Sequence, residues 1–333
     1  MPKIIEVQDI RSLEWEDLVK LSPVASWFQT REAFDFFNSL SFLKAFAFGV
    51  EDQGCLKGIV VGYVQKDGGA VKRFLSRRAI VTGGPLLAED ISEEALVLLF
   101  NTLKTRLRRK AIYIETRNFN DYSRWRKTFE ECGFNYKSHY DIWVDTSNMD
   151  AVDEHLGKSR KRDIRVSIRD GAMVVTQPTI EQVRDYYAIL SNLYASKVKT
   201  PLFPLTFFEY LNQLPSSAFL LVEYEGEIVG GTVCVGLKDR VLYEMYACGK
   251  DGIHKSIFPS ELATFAGLQY AAEHGMSRFD MMGAGSPDDG GYGVRDFKLK
   301  FGGNLYEFGR NIHVCNRFLY SIGILGVKII KKS

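Results

Sequence analysis

The chain has 333 residues, 46% of them apolar and 13% aromatic, enough to bury a sizeable core, which excludes a disordered or fibrous protein. Its 43 Lys and Arg stand against 41 Asp and Glu, a formal charge of +2, which excludes a general nucleic-acid coater. Any anion recognition has to come from a local cluster.

Met1 to Leu21 alternates acids, bases and apolar residues without a hydrophobic run, so no signal peptide is expected there. Val50 to Gly58 reads as strand, tight turn, strand, and runs on into Ile59-Val60-Val61. A helix over Glu93 to Arg109 precedes a strand at Ala111 to Glu115, and a short helix ends at Phe129 to Phe134. Ser147 to Lys161 lacks apolar periodicity and reads as a junction. Lys158 to Arg169 holds six cations in twelve residues, and Arg162, Arg165 and Arg169 share one face if the segment is helical. Val222 to Gly230 then echoes the first hairpin 172 positions later. A helix from Pro259 to His274 with Gly275 as its stop, a strand at Ser277 to Met281, the stretch Phe297 to Gly303 and a strand at Leu305 to Phe308 follow. Between them, Gly283 to Gly293 has five glycines in eleven residues and reads as a mobile loop, a candidate lid. Phe318 to Ile330 is too short and too interrupted to span a bilayer; it reads as a closing helix that, with Lys331 and Lys332, suits weak contact with an anionic membrane surface.

The repeated order predicts a mixed α/β fold of two similar units: 1–150, 151–312 carrying the active site, and a C-terminal helix over 313–333 that packs back on the first unit. Five scattered cysteines without CxxC spacing (Cys55, Cys132, Cys234, Cys248, Cys315) point to a reducing compartment, the cytoplasm. The five histidines show no ligand spacing, so no metal is expected. No P-loop or G-x-S-x-G is present, and the G-x-G at Gly283 lacks the context of a dinucleotide fingerprint.

Three stretches carry a resemblance. They are Ser159-Arg160-Lys161-Arg162-Asp163-Ile164-Arg165 with Arg169-Asp170-Gly171; Tyr243-Glu244-Met245-Tyr246-Ala247 with Pro259-Ser260-Glu261-Leu262; and Phe279-Asp280, Gly283 and Phe297-Lys298 with Phe301-Gly302. In this order they resemble the Fem family of non-ribosomal aminoacyltransferases, of the GNAT-like acyltransferase superfamily. The resemblance implies tandem GNAT-like units and transfer of an acyl or aminoacyl group to an amine of a peptidoglycan-like cell-envelope precursor. It implies aminoacyl-tRNA or acyl-CoA as donor and no tightly bound cofactor; the expected location is the cytoplasm, with peripheral contact at the inner membrane face through the C-terminal segment. The family's precursor-binding lysine is absent, since the first-half helix reads Phe34-Asp35-Phe36-Phe37-Asn38. The pyrophosphate motif of CoA-dependent GNAT enzymes is absent as well from Gly249 to Pro259.

Acyl transfer needs a deprotonated amine and positive charge where the oxyanion develops. The resemblance puts that charge at Lys298 and the acceptor's phosphates on Arg165, Arg169 and Arg162, whose guanidinium forks suit phosphate. Tyr246 and Phe297 are the further substrate-binding candidates. For proton removal the sequence leaves Glu244, Asp280, Asp296 and His254 open. Two rival functions remain: acetyl-CoA-dependent N-acetylation of a nucleotide sugar or polysaccharide precursor, and a non-catalytic binding module on the same fold.

Overall fold

The computed structural model describes residues 1–66, 76–289 and 293–323. The strands in chain order are β1 (Lys3–Glu6), β2 (Lys44–Asp52), β3 (Cys55–Gln65), β4 (Arg78–Gly83), β5 (Leu86–Leu87), β6 (Tyr113–Asn118), β7 (Asn135–Lys137) and β8 (Tyr140–Asp145). They continue with β9 (Met173–Val175), β10 (Ser217–Tyr224), β11 (Glu227–Leu237), β12 (Val241–Gly249), β13 (Arg278–Asp280), β14 (Asn304–Glu307) and β15 (Arg310–Val314).

The two echoed hairpins are built alike. Gln53 and Gly54 turn β2 into β3 with φ of 52° and 80°, and Glu225 and Gly226 turn β10 into β11 with φ of 53° and 80°. Two consecutive positive φ values give a two-residue turn whose twist matches that of the strands. Each hairpin shifts register at the same place, between Val50 and Glu51 and between Val222 and Glu223. Each also takes a short antiparallel strand on its outer edge, β1 on β2 and β9 on β10.

The first sheet runs β1-β2-β3-β4-β6-β15-β7, with β5 on β3; the second runs β14-β8-β13-β12-β11-β10-β9. Each contains one parallel pair, β4 with β6 and β12 with β13. The chain divides into Met1–His139 with the segment from Phe308 on, and Tyr140–Glu307. The expected break at 150 therefore moves to 139. β8 leaves the first half and inserts between β13 and β14, because its alternate residues Ile142 and Val144 belong to the second core. β15 returns to the first sheet between β6 and β7. The expected junction at 147–161 lies inside the second unit and carries two helices, Met149–His155 and the start of Lys158–Arg169. The expected C-terminal helix is preceded by β15 and begins at Arg317, with Tyr320 against Tyr113 of β6 at 5.4 Å between ring centroids; residues 324–333 lie outside the described residues.

One helix fills each core. Glu93–Leu107, whose Ala95 N–H is capped by Ser92 Oγ at 3.2 Å, buries Leu96, Leu99, Phe100 and Leu103 with Val60, Val81 and Ile114. Pro259–Glu273, with Pro at its first position, lies on β11 and β12. Gly267 lets that helix approach the sheet: a Cβ there would sit 2.7 Å from the Phe279 ring. The helices Ile180–Leu193 and Leu205–Leu211 add further large apolar groups, with Tyr186, Phe207 and Phe208 fully buried.

Candidate active site

β12 and β13 pair in parallel over three positions, Val241 with Arg278, Leu242 with Phe279 and Tyr243 with Asp280. Beyond that the chains part, and the crevice past the carboxyl ends of parallel strands is where open sheets bind ligands. Glu244 is the next residue of β12, Asp280 ends β13, and Asp141 lies on the neighbouring β8, where Asp280 faces Trp143. The three carboxyls are 5%, 0% and 3% exposed, respectively.

Into this nest the helix Gly293–Leu299 sends Lys298. Its ammonium donates to the carbonyls of Met281, of Met282 at 3.0 Å and of Gly283 at 3.1 Å. Burial lowers the pKa of Lys298, opposed by the charges of Glu244, Asp141 and Asp280 in that order. Burial raises Glu244, partly offset by Lys298 and by hydrogen bonds from Thr264 at 3.1 Å and Thr232 at 3.2 Å. Asp141 is pushed well up by burial and then by the charge of Asp280. Asp280 is raised by burial, against the pull of Arg278 and of the Met282 N–H that its Oδ1 accepts at 2.9 Å. Its Oδ2 is buried without a hydrogen bond. Three buried carboxyls crowd one ammonium, and burial pushes each of them towards its neutral form.

The structure thus gathers Lys298, Glu244 and Asp280 and adds Asp141, which the sequence reading did not single out. Asp141 escaped because it belongs, by chain order, to the first half. An alternation of Asp141, Trp143 and Asp145 with Ile142 and Val144 shows a strand but not which sheet receives it. The other base candidates lie elsewhere: Asp296 is exposed, and His254 packs on Tyr224 at 4.8 Å between ring centroids.

Phe297, half-buried, rests with Phe301 on a residue the sequence placed among the surface cations. Arg160 is turned inward and 7% exposed, its guanidinium 4.6 Å from the Phe297 ring centroid and 5.4 Å from that of Phe301. It donates to Glu261 at 2.6 Å, and Asp163 stands 3.9 Å away. The inward turn follows from the helix, whose buried face is Arg160, Asp163, Ile164 and Ser167. Arg162, Arg165 and Arg169 do share the exposed face. Arg162 pairs with Asp163 at 2.8 Å and Arg169 with Asp170 at 2.6 Å, while Arg165 forms no ion pair among the described residues.

Tyr246 is not brought to Lys298. The register shift between Val233 and Cys234 leaves Met245 as an extra residue in β12, and Tyr246 joins Phe208 at 5.0 Å and Phe207 at 6.3 Å between ring centroids. The start of the helix Pro259–Glu273 is taken by the chain itself: Asp251 accepts from Ser260 N–H at 3.1 Å and from Ser260 Oγ. The expected glycine-rich lid includes residues 290–292, which lie outside the described residues. A groove of about 420 Å³ opens between the helix Ile180–Leu193 and the Gly226–Ile228 turn, and none of its lining residues belongs to the Lys298 cluster. Among the described residues, no His, Cys, Asp and Glu cluster is arranged to hold a metal ion, and no helix is long and apolar enough to cross a membrane.

No protein-family model and no curated protein matches the chain. Solved structures do. FemX is similar with a TM-score of 0.71 at 14% identity, over 96% of this chain and 99% of that one. L-PGS from Bacillus licheniformis is similar with a TM-score of 0.57 at 15% identity, over 97% of each chain. A tandem GNAT protein from the clavulanic acid biosynthesis pathway is similar with a TM-score of 0.58 at 11% identity, over 95% of this chain and 99% of that one. At such identities the likeness is one of fold, and the chain has a tandem GNAT-like architecture.

Proposed function

We propose that the second unit is an acyltransferase that moves an aminoacyl group from an activated ester to an amine. The observation that carries this reading is Lys298, held at the open ends of β12 and β13 with Glu244, Asp280 and Asp141 around it. The amine attacks the ester carbonyl, a C–N bond forms, and charge develops on the carbonyl oxygen. That oxygen takes the place of Gly283 O, the longest of the three contacts at the ammonium. Asp280 accepts the proton the amine sheds, and the leaving alcohol recovers it as the ester C–O bond breaks. Burial raises Asp141 and Glu244, which opposes full neutralisation of the ammonium.

Asp251 favours an aminoacyl-tRNA over acyl-CoA as donor. A pyrophosphate at the start of the helix Pro259–Glu273 would have to displace a carboxylate already bonded there. The acceptor is a phosphate-bearing cell-envelope precursor, docked on Arg165 with Arg162 and Arg169 beside it. The fold shared with FemX and L-PGS supports this choice by analogy.

The test is transfer of a radiolabelled aminoacyl group from charged tRNA to an amine-bearing nucleotide precursor, with acetyl-CoA as the competing donor. Transfer from charged tRNA alone is expected. Transfer from acetyl-CoA alone would favour N-acetylation, and no transfer from either a binding module.

A further inference from the structure

We propose that the first unit carries a phosphate-binding site of its own, formed by Arg117, Arg310 and Lys137 in a row across three neighbouring strands. In the sheet register Arg310 of β15 stands directly opposite Arg117 of β6 on one side and Lys137 of β7 on the other. Residues directly opposite in antiparallel strands point to the same face, and like charges so placed repel one another. A fold needs no such row, and among the described residues the carboxylate paired with both guanidiniums is Glu115.

That carboxylate, Glu115, is committed unequally. Arg310 donates to it at 2.8 Å. Arg117 reaches it at 3.4 Å through Nε, which is buried and makes no hydrogen bond, and at 3.5 Å through a terminal nitrogen. The other face of Arg310 donates to Nε2 of His139 at 2.9 Å. With Lys137 counted, three cations face one anion. Burial, and then the neighbouring Arg117 charge, lower the pKa of Arg310, whereas Glu115 holds Arg117 above its ordinary value. The side chains of Arg117 and Arg310 remain 35% and 31% exposed, and Lys137 is exposed, so an incoming group can reach all three.

The place in the fold agrees. Ile80, Glu115 and Ile312 align across β4, β6 and β15 as Tyr243, Asp280 and Trp143 do across β12, β13 and β8. Glu115 thus stands where the second unit has Asp280, and Arg310 where it has Asp141. At the carboxyl end of the second parallel pair, carboxyls surround an ammonium. Within the first, which runs three positions further to Gly83 and Asn118, guanidiniums surround a carboxylate at the third paired position, and the surplus charge is positive. Three strands about 4.8 Å apart place the outer cations roughly 10 Å from each other at the backbone, a span that guanidinium and ammonium groups close around one or two phosphates. This site stands apart from the proposed transfer chemistry and does not rest on it.

Isothermal titration of the full chain with inorganic pyrophosphate, with acetate as a carboxylate control at matched ionic strength, tests the assignment. Saturable binding of pyrophosphate is expected, weakened about tenfold or more in Arg117→Gln and less in Lys137→Gln, an exposed position that leaves the fold undisturbed. Changing Arg162, Arg165 and Arg169 together to Gln removes the proposed acceptor contacts and is expected to leave this binding step in place. No saturable binding, binding unchanged in both Arg117→Gln and Lys137→Gln, or acetate binding as tightly as pyrophosphate would each overturn the proposal.

Discussion

At Lys298 all three ammonium donors are engaged by backbone carbonyls, so in this state the residue acts as a fixed positive charge and not as a base. The proton traffic therefore falls to the carboxyls, and their burial makes it visible in stability. Glu244 has an ordinary value of 4.5 and is raised in the folded chain. Above pH 4.5 the native state keeps a proton that the unfolded chain has released, so stability falls as pH rises through the elevated value. Glu244→Gln mimics the protonated form. It is expected to remove that decline, by about 1.4 kcal/mol per unit of elevation, in urea denaturation at a series of pH values. A wild-type slope that persists in Glu244→Gln would contradict the assignment. Lys298, Glu244 and Asp280 could be singled out in the sequence because each lies within one of the three short stretches that carry the resemblance. Asp141 and the inward-facing Arg160 could not. Their roles depend on which sheet takes β8 and which way the basic helix rolls, and neither is a property of nearby sequence.

Among the elements, the helix Lys158–Arg169 was legible as a basic face but not as a support. Arg160 under Phe297 and Phe301 ties this helix to the one that presents Lys298, while its partner Glu261 is pushed up by burial. Arg160→Met leaves that carboxyl without its cation. A loss of about 3 to 5 kcal/mol is expected in chemical denaturation, and an effect within about 1 kcal/mol would show the pair to be dispensable. The turn after the Lys298 helix is as tightly specified. Gly302 has φ of +87°, and a Cβ there would meet the His155 carbonyl oxygen at 2.4 Å. Gly302→Ala is expected to cost about 2 to 4 kcal/mol and to lower the thermal midpoint, because strain and overlap with backbone add. A midpoint equal to the wild type would mean that the turn relaxes freely.

For the whole molecule, the repeat of hairpin, helix and strand was legible because turns and apolar periods are local signals, and the two hairpins match down to the paired φ values at Gln53-Gly54 and Glu225-Gly226. The exchange of β8 and β15 was not, since strand pairing is decided by partners far along the chain. It has a direct consequence for dissection. Residues 140–307 contain every strand of the second sheet, whereas 1–139 lack β15 and leave β6 and β7 without the strand between them. The fragment 140–307 is expected to unfold cooperatively by circular dichroism and 1–139 to show no such transition; the reverse would contradict the strand assignment. Whether this architecture serves acyl transfer comes down to Lys298. Single-turnover transfer of the aminoacyl group from charged tRNA, compared between the wild type and a folded Lys298→Met chain, is predicted to slow by about 10² to 10³ with donor affinity nearly unchanged. Transfer at the wild-type rate in Lys298→Met would contradict it.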